Sequence, residues 1–393
     1  MISRIGFAML TILFSCSVRG QEPATEQEPA IQWNESSDLL DDEKALPVNA
    51  AQPTPFTAIH KKDKNEFVIA PIPFLNPSQG WGLALVGQYI FTLKDDESPP
   101  SIVGGGAFYT EKHSYGGGLA YSGKLANDQW RVGLAVGKAT VFYDFYGIGY
   151  DQNKEDISIP LKQQVEFAGL RLMKQVTNKL FLGLELIGAE ITTNIETESI
   201  PGNLTNEIVA KTDFVAPNLK AERDTRNDSF YPTQGSLFDL QAEFHSEELH
   251  DNTTYQTYKI SWNQYLDLAP FSVLAYRLMA RFAYGDVPFY SLSMFGQGGD
   301  LRGYETGKYR DKMMWAAQTE YRYRFTDRWG GVAFAGAGQL APKVSEFDGA
   351  AFLGSGGLGL RFRLAQKNPV DFRFDTAYGD QKISYYFSVG QSF

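Results

Sequence analysis

From about residue 236 to its end, the chain alternates apolar and polar residues with a period of two. VDFRFDTAYG sets Val370, Phe372 and Phe374 against Asp371, Arg373 and Asp375. WAAQTEYRYRF sets Trp315, Tyr321, Tyr323 and Phe325 against Gln318, Glu320, Arg322 and Arg324, and LFDLQAEFH and LAYRLMARFAY divide the same way. Successive side chains of a strand point to opposite faces, so this repeat dictates β-strands rather than amphipathic helices. The polar face is too charged for an ordinary sandwich core.

Two environments accept such a strand. In a soluble sandwich the apolar face packs inward, whereas in a membrane barrel it meets lipid and the charged face lines the lumen. Alternation alone fits both. Three features together select the barrel: an export signal, aromatic residues near strand ends, and strand patterning that runs on without a second zone of composition. After the first segment no apolar run reaches the roughly 18 residues of a spanning helix, but an outer-membrane strand needs only ~9–11. The 38 glycines, 21 tyrosines and 28 phenylalanines suit strands with large flat side chains and close backbone approaches.

The export signal is MISRIGFAMLTILFSCSVRGQE, with Arg4 before an apolar core from Ile5 to Phe14 and with Val18 and Gly20 at the minus-three and minus-one positions. This is a signal peptide over 1–20, cleaved before Gln21. A lipobox ending at Cys16 is the alternative, and the bulky Phe14 argues against it. Cys16 is the only cysteine, so the mature chain has no disulfide and no thiolate metal site. The four histidines, His60, His113, His245 and His250, form no H-E-x-x-H spacing, and neither metal nor cofactor is expected. A formal net charge of -10 argues against a nucleic-acid partner.

Residues 21–64, rich in Glu, Asp, Pro and Ala, read as a flexible acidic periplasmic leader. Strand candidates then fall at 67–74, 80–93, 99–110, 114–126, 130–142, 160–175, 178–192 and 207–223, and at 236–249, 253–267, 270–284, 313–325, 328–340, 352–363, 369–379 and 382–393. The first carries two prolines, which an end strand tolerates better than a central one. The predicted fold is all-β, a 16-stranded antiparallel transmembrane β-barrel over 65–393 with both termini on the periplasmic side. Closing the ring spares backbone groups from facing hydrocarbon unpaired, at several kcal/mol each. In KISYYFSVGQSF the expected apolar face is Tyr385, Phe387, Val389 and Phe393.

Two motifs lie within this pattern. One is Gly298-Gly299-Asp300-Leu301-Arg302-Gly303-Tyr304, and the other is RDTRNDSFYPTQG, with Asp224, Arg226, Asn227, Pro232 and Gly235. The first resembles the sixth extracellular loop of the Omp85 superfamily, also called the bacterial surface antigen D15 family, whose hallmark is a hydrophobic residue, Arg-Gly, then Phe or Tyr. The second resembles that family's Asp-x-Arg-Asp followed by Pro-x-x-Gly at a periplasmic turn, with Asn227 where Asp is more usual. The terminal aromatic strand, with Tyr385, Phe387, Val389 and Phe393, is similar to the signal by which outer-membrane barrels are recognised for assembly. The chain departs from the family where Gly336 replaces an anchoring aspartate of several relatives, and the leader has no room for POTRA domains.

The resemblance implies a loop folded into the lumen between the eleventh and twelfth strands, with Arg302 projecting towards a carboxylate. Glu320 is the first expected partner and Asp375 the second. Gly298, Gly299 and Gly303 would let the backbone approach the wall, Leu301 belongs to the hallmark, and Tyr304 would pack against the wall. Phe393 would help seal the seam between the first and last strands. Asp224, Arg226 and Asn227 serve a turn rather than catalysis. No nucleophile elbow or phosphate loop is present, so an enzyme is not expected. Expected partners are outer-membrane lipids, the barrel assembly machinery during biogenesis, and a separate periplasmic partner or client protein. The implied location is the cell outer membrane, and the implied role a structural or pore-forming barrel with a loop-occluded lumen. The alternative is a factor for outer-membrane protein assembly or translocation.

Overall fold

The computed structural model describes residues 65–76, 80–93, 96, 98–149, 158–195, 208–296, 300–365 and 367–393, so the expected signal peptide (1–20) and leader (21–64) lie outside the described residues. The period-two segments form β1 (Glu66–Asn76), β2 (Gly80–Phe91), β3 (Ser101–Thr110), β4 (Tyr115–Leu125), β5 (Trp130–Phe145) and β6 (Ile159–Thr177). They continue as β7 (Leu180–Ile195), β8 (Ile208–Asp224), β9 (Gly235–His245), β10 (Tyr255–Ala269) and β11 (Ser272–Gly285). Two short strands, β12 (Ser293–Met294) and β13 (Arg310–Asp311), pair only with each other. The wall resumes with β14 (Met313–Arg324), β15 (Trp329–Ala341), β16 (Leu353–Arg363), β17 (Asp371–Gly379) and β18 (Lys382–Val389). Apart from β12 and β13, these form one sheet of 16 strands, each antiparallel to its neighbours in chain order.

The two faces divide as the sequence dictates. Leu85, Leu119, Leu184, Leu358 and Ile383 stand exposed on the outside, while Glu185, Gln241, Arg322, Arg361 and Asp375 are buried within. Such an inside-out arrangement fits hydrocarbon, not water. Exposed Trp81, Tyr109, Tyr115 and Tyr378 ring the end opposite the termini, and Tyr89, Tyr323, Phe325 and Trp329 ring the end that carries them. Amphipathic rings at two levels mark the two membrane interfaces.

The first and last strands lie side by side, but among the described residues no hydrogen-bonded ladder joins β1 to β18. At the terminal end the seam is bridged by side chains instead. Glu66 Oε2 accepts from the Asn368 backbone N–H and Nδ2, both at 3.0 Å, and Val68 clusters with Val370 and Val389. The β1 prolines, Pro71 and Pro73, have no N–H to offer a neighbour, which suits an edge.

Two strands stop well short of their expected ends. β9 stops at His245 instead of 249, because Ser246 caps a short 3-10 turn over Glu247–Leu249. β18 stops at Val389, so Phe393 does not share the outer face of Tyr385 and Phe387. Gly390, at φ 93°, turns the tail inward. Its N–H then bonds to the Asp371 carbonyl, Gln391 joins Arg361 to Asp371, and the Phe393 oxygen accepts from Arg322 Nη2 at 2.8 Å.

Candidate functional site

The long loop between β11 and β14 is built to enter the barrel. Its stem is the β12–β13 ribbon, extended by the Phe295 N–H bonding to the Tyr309 carbonyl. Phe295, Leu301, Tyr304 and Tyr309 pack on Met279, Met314, Ala316, Leu340 and Leu353 of the inner wall. At about 1.5–3 kcal/mol for each large apolar side chain removed from water, this face alone holds the loop against the wall. Glycines make the room. A Cβ on Gly336 would lie 2.9 Å from Leu301 Cδ1, and one on Gly338 would lie 2.8 Å from the Phe295 ring. A side chain at position 336 would therefore collide with Leu301 and Gln318 as they stand.

The acids that hold the loop tip come from other strands. Arg302 Nη1 donates to Asp375 Oδ2 at 2.6 Å, Nη2 lies 2.8 Å from Glu320 Oε2 as an ion-pair contact without hydrogen-bond alignment, and Nε reaches Gln318 Oε1 at 3.4 Å. The guanidinium plane lies 3.4 Å from the centre of the Phe334 ring, a cation–π stack. Arg302 thus engages both expected partners at once, with Asp375 the better aligned. Neither acid belongs to Arg302 alone: Glu320 also takes Arg322 Nε at 2.7 Å and Arg361 Nη2 at 3.6 Å, and Asp375 takes Arg361 Nη1 at 2.5 Å.

The loop also grips the last hairpin. Gly303, at φ 102°, lies so close to β17 that a Cβ would be 3.0 Å from the Gly379 nitrogen, and its N–H donates to the Tyr386 hydroxyl at 2.8 Å. Tyr304 donates to the Gly354 carbonyl at 2.7 Å, and Lys308 and Tyr309 both bond to Asp380 in the β17–β18 turn. Gly298 and Gly299 lie outside the described residues. Arg310, fully buried in the loop stem, is held by the carbonyls of Gly307 and Phe289, and burial pulls its pKa down to about 10.

The second motif closes the terminal end. Arg226 donates from Nε and Nη2 to the two oxygens of Asp224, each at 2.9 Å, in a buried fork. Asn227 Oδ1 accepts from the backbone N–H groups of Thr233 and Gln234, while its Nδ2 donates to the Thr233 hydroxyl at 2.6 Å. Pro232 is buried, and Gly235 sits at φ 89° where a Cβ would lie 2.2 Å from the Thr225 carbonyl. Thus held, the β8–β9 turn carries Phe230 into the cluster of Val68, Ile90 and Ile102, and sets the Tyr231 ring 4.5 Å from Arg324. It reaches the opposite wall, next to the seam. Asn227→Asp keeps an oxygen to accept from the two backbone N–H groups and should shift stability by less than about 1 kcal/mol, whereas Asn227→Ala removes all three bonds and should cost about 1–2 kcal/mol. Urea midpoints of the folded band in detergent would measure both.

Sequence reasoning missed Phe334 beneath Arg302, the Asp380 anchor, and the arginines that share Glu320 and Asp375. Arg361 and Arg363 in LRFR were visible as alternating charges, but nothing local said which strand they would face.

An apolar exterior, an ionic interior and a long loop docked on the inner wall define a transmembrane β-barrel with an infolded loop. The Omp85 superfamily domain matches residues 103–393, most of the chain, and the chain belongs to that superfamily. Among solved structures it is similar to BamA from Haemophilus ducreyi lacking POTRA domains 1-3, at 15% identity and TM-score 0.53, with 83% of this chain and 69% of that one covered. CdiB from Acinetobacter baumannii is similar at 13% identity and TM-score 0.54, covering 83% and 59%. CdiB from Escherichia coli is similar at 10% identity and TM-score 0.58, covering 82% and 62%. The chain therefore spans less than two thirds of either CdiB, and at these identities the likeness is one of fold. No curated protein matches it in sequence.

Proposed function

We propose that this is a non-catalytic barrel of the outer membrane, occluded by its sixth loop and working with a separate periplasmic partner. The observation that carries the reading is the Arg302 anchor: one buried side chain ties the loop tip to β14 and β17 simultaneously. A loop fixed by buried charge-assisted contacts behaves as part of the wall and leaves only on a defined trigger. The family and the apolar exterior support the outer-membrane location. In planar bilayers the purified barrel should show a low resting conductance broken by brief openings, and a large steady conductance would refute occlusion.

A second reading is favoured by one observation, the seam. Absence of a ladder between β1 and β18 supports a factor that assembles or translocates outer-membrane proteins, because edge strands are templates for pairing. The relatives named above are consistent with either reading. Insertion of a client barrel into liposomes, timed with and without this protein, separates the two: acceleration above the lipid-only rate supports the second, and no acceleration the first.

A further inference from the structure

One part of the inner wall holds more positive charge than its acids can meet. Arg302, Arg322, Arg324, Arg361, Arg363 and Arg373 converge there on three side-chain carboxylates, Glu320, Asp371 and Asp375, with the Phe393 oxygen as a further acceptor for Arg322. The acids are already engaged. Asp371 takes Arg363 Nε at 2.7 Å on one oxygen, with Arg324 and Gln391 on the other. Both oxygens of Asp375 accept from Arg361 and Arg302, and both oxygens of Glu320 face closer arginines.

Arg373 is left over. Its side chain is buried, at 8% exposure, yet among the described residues it makes no hydrogen bond. Its one charged contact is Nε to Asp375 Oδ2 at 3.6 Å, beyond hydrogen-bond range. Arg322 Nη1, Arg324 Nη1 and Arg361 Nη2 are also buried donors without hydrogen-bond acceptors among the described residues. A buried guanidinium without acceptors is costly, and the fork of an arginine matches an oxyanion in shape and charge. We infer that this patch is a binding site for a small oxyanion of the carboxylate or phosphate type, anchored by Arg373. The site adjoins the loop anchor, since Arg373 reaches the same Asp375 oxygen as Arg302, but the shorter Arg302 contacts do not use Arg373.

The inference does not depend on occlusion, because its test reads binding. Inorganic phosphate is titrated into the detergent-solubilised barrel at constant ionic strength in potassium chloride, and the unfolding temperature is followed. Phosphate stabilises many proteins by exclusion from their surfaces, an effect that grows without saturating. A site predicts a saturating rise instead, together with broadening of the phosphate phosphorus resonance that acetate reverses. Arg373→Gln should weaken the apparent affinity about tenfold or more while raising stability in chloride alone, because it removes an unmet charge. Arg373→Lys, charged but without the fork, should fall between, and Lys259→Gln on β10 should bind as the wild type does. A linear response in the wild type, or equal saturation in Arg373→Gln, overturns the site. Should Arg373→Gln not fold, failure of acetate to reverse the broadening in the wild type would overturn it as well.

Discussion

Glu320→Ala should be the most damaging single substitution in the barrel interior. The carboxylate is fully buried and contacts Arg302, Arg322 and Arg361 together, in a region already rich in arginine. Removing it leaves three guanidiniums to share fewer acceptors, and breaking a buried ionic cluster in this way costs about 3–5 kcal/mol. In detergent the variant should lose its compact heat-modifiable band at a much lower urea concentration than the wild type. Glu320→Gln should recover little, since an amide offers one acceptor oxygen instead of two and does not neutralise charge. A midpoint within error of the wild type would show that water, not Glu320, compensates these arginines.

The second large effect is expected for Arg302→Ala, for a different reason than the motif alone suggests. From sequence, the loss of Arg302 should strand a buried acid. The structure corrects this, because Glu320 keeps Arg322 and Arg361 while Asp375 keeps Arg361 and the longer contact to Arg373. What disappears is the hold on the loop tip: contacts to two carboxylates and the stack on Phe334. Together these should cost about 2–4 kcal/mol, most of it local to the loop. The folded band should survive, protease cleavage in the loop should speed up, and single-channel openings should become longer and larger. Adding Glu320→Ala should worsen the variant instead of restoring it, since Arg322 then loses its acid and Arg361 the longer of its two contacts. Rescue by the double substitution would mean that Glu320 serves Arg302 alone.

Much of this fold was legible because a barrel strand is specified locally. Alternation in segments such as Asp371–Gly379 sets both faces, and Gly or Pro clusters mark the turns, so strand positions follow without tertiary information. Even β1 with its two prolines is recoverable from its place at an edge. The site was legible only as far as single residues: Arg302, Glu320 and Asp375 stand out by motif and by charge on an inward parity. Their sharing with Arg322, Arg361 and Arg373 was not, because register between strands distant in sequence decides it. Phe393 misled for a related reason. Its parity continues that of β18, and only the left-handed Gly390 breaks the count.

The seam gives the wall a mechanical property that no single contact reveals. Fifteen junctions between neighbouring strands are laced by backbone hydrogen bonds, and the junction between β1 and β18 is not. A ring laced everywhere shares lateral load around its circumference, but a ring with one unlaced line concentrates the load there. Pro71 and Pro73 keep that line weak even when it is pressed shut, since neither can donate to an approaching strand. The cylinder is therefore stiff in every direction but one, and bilayer tension or a crowding neighbour will deform it first along β1.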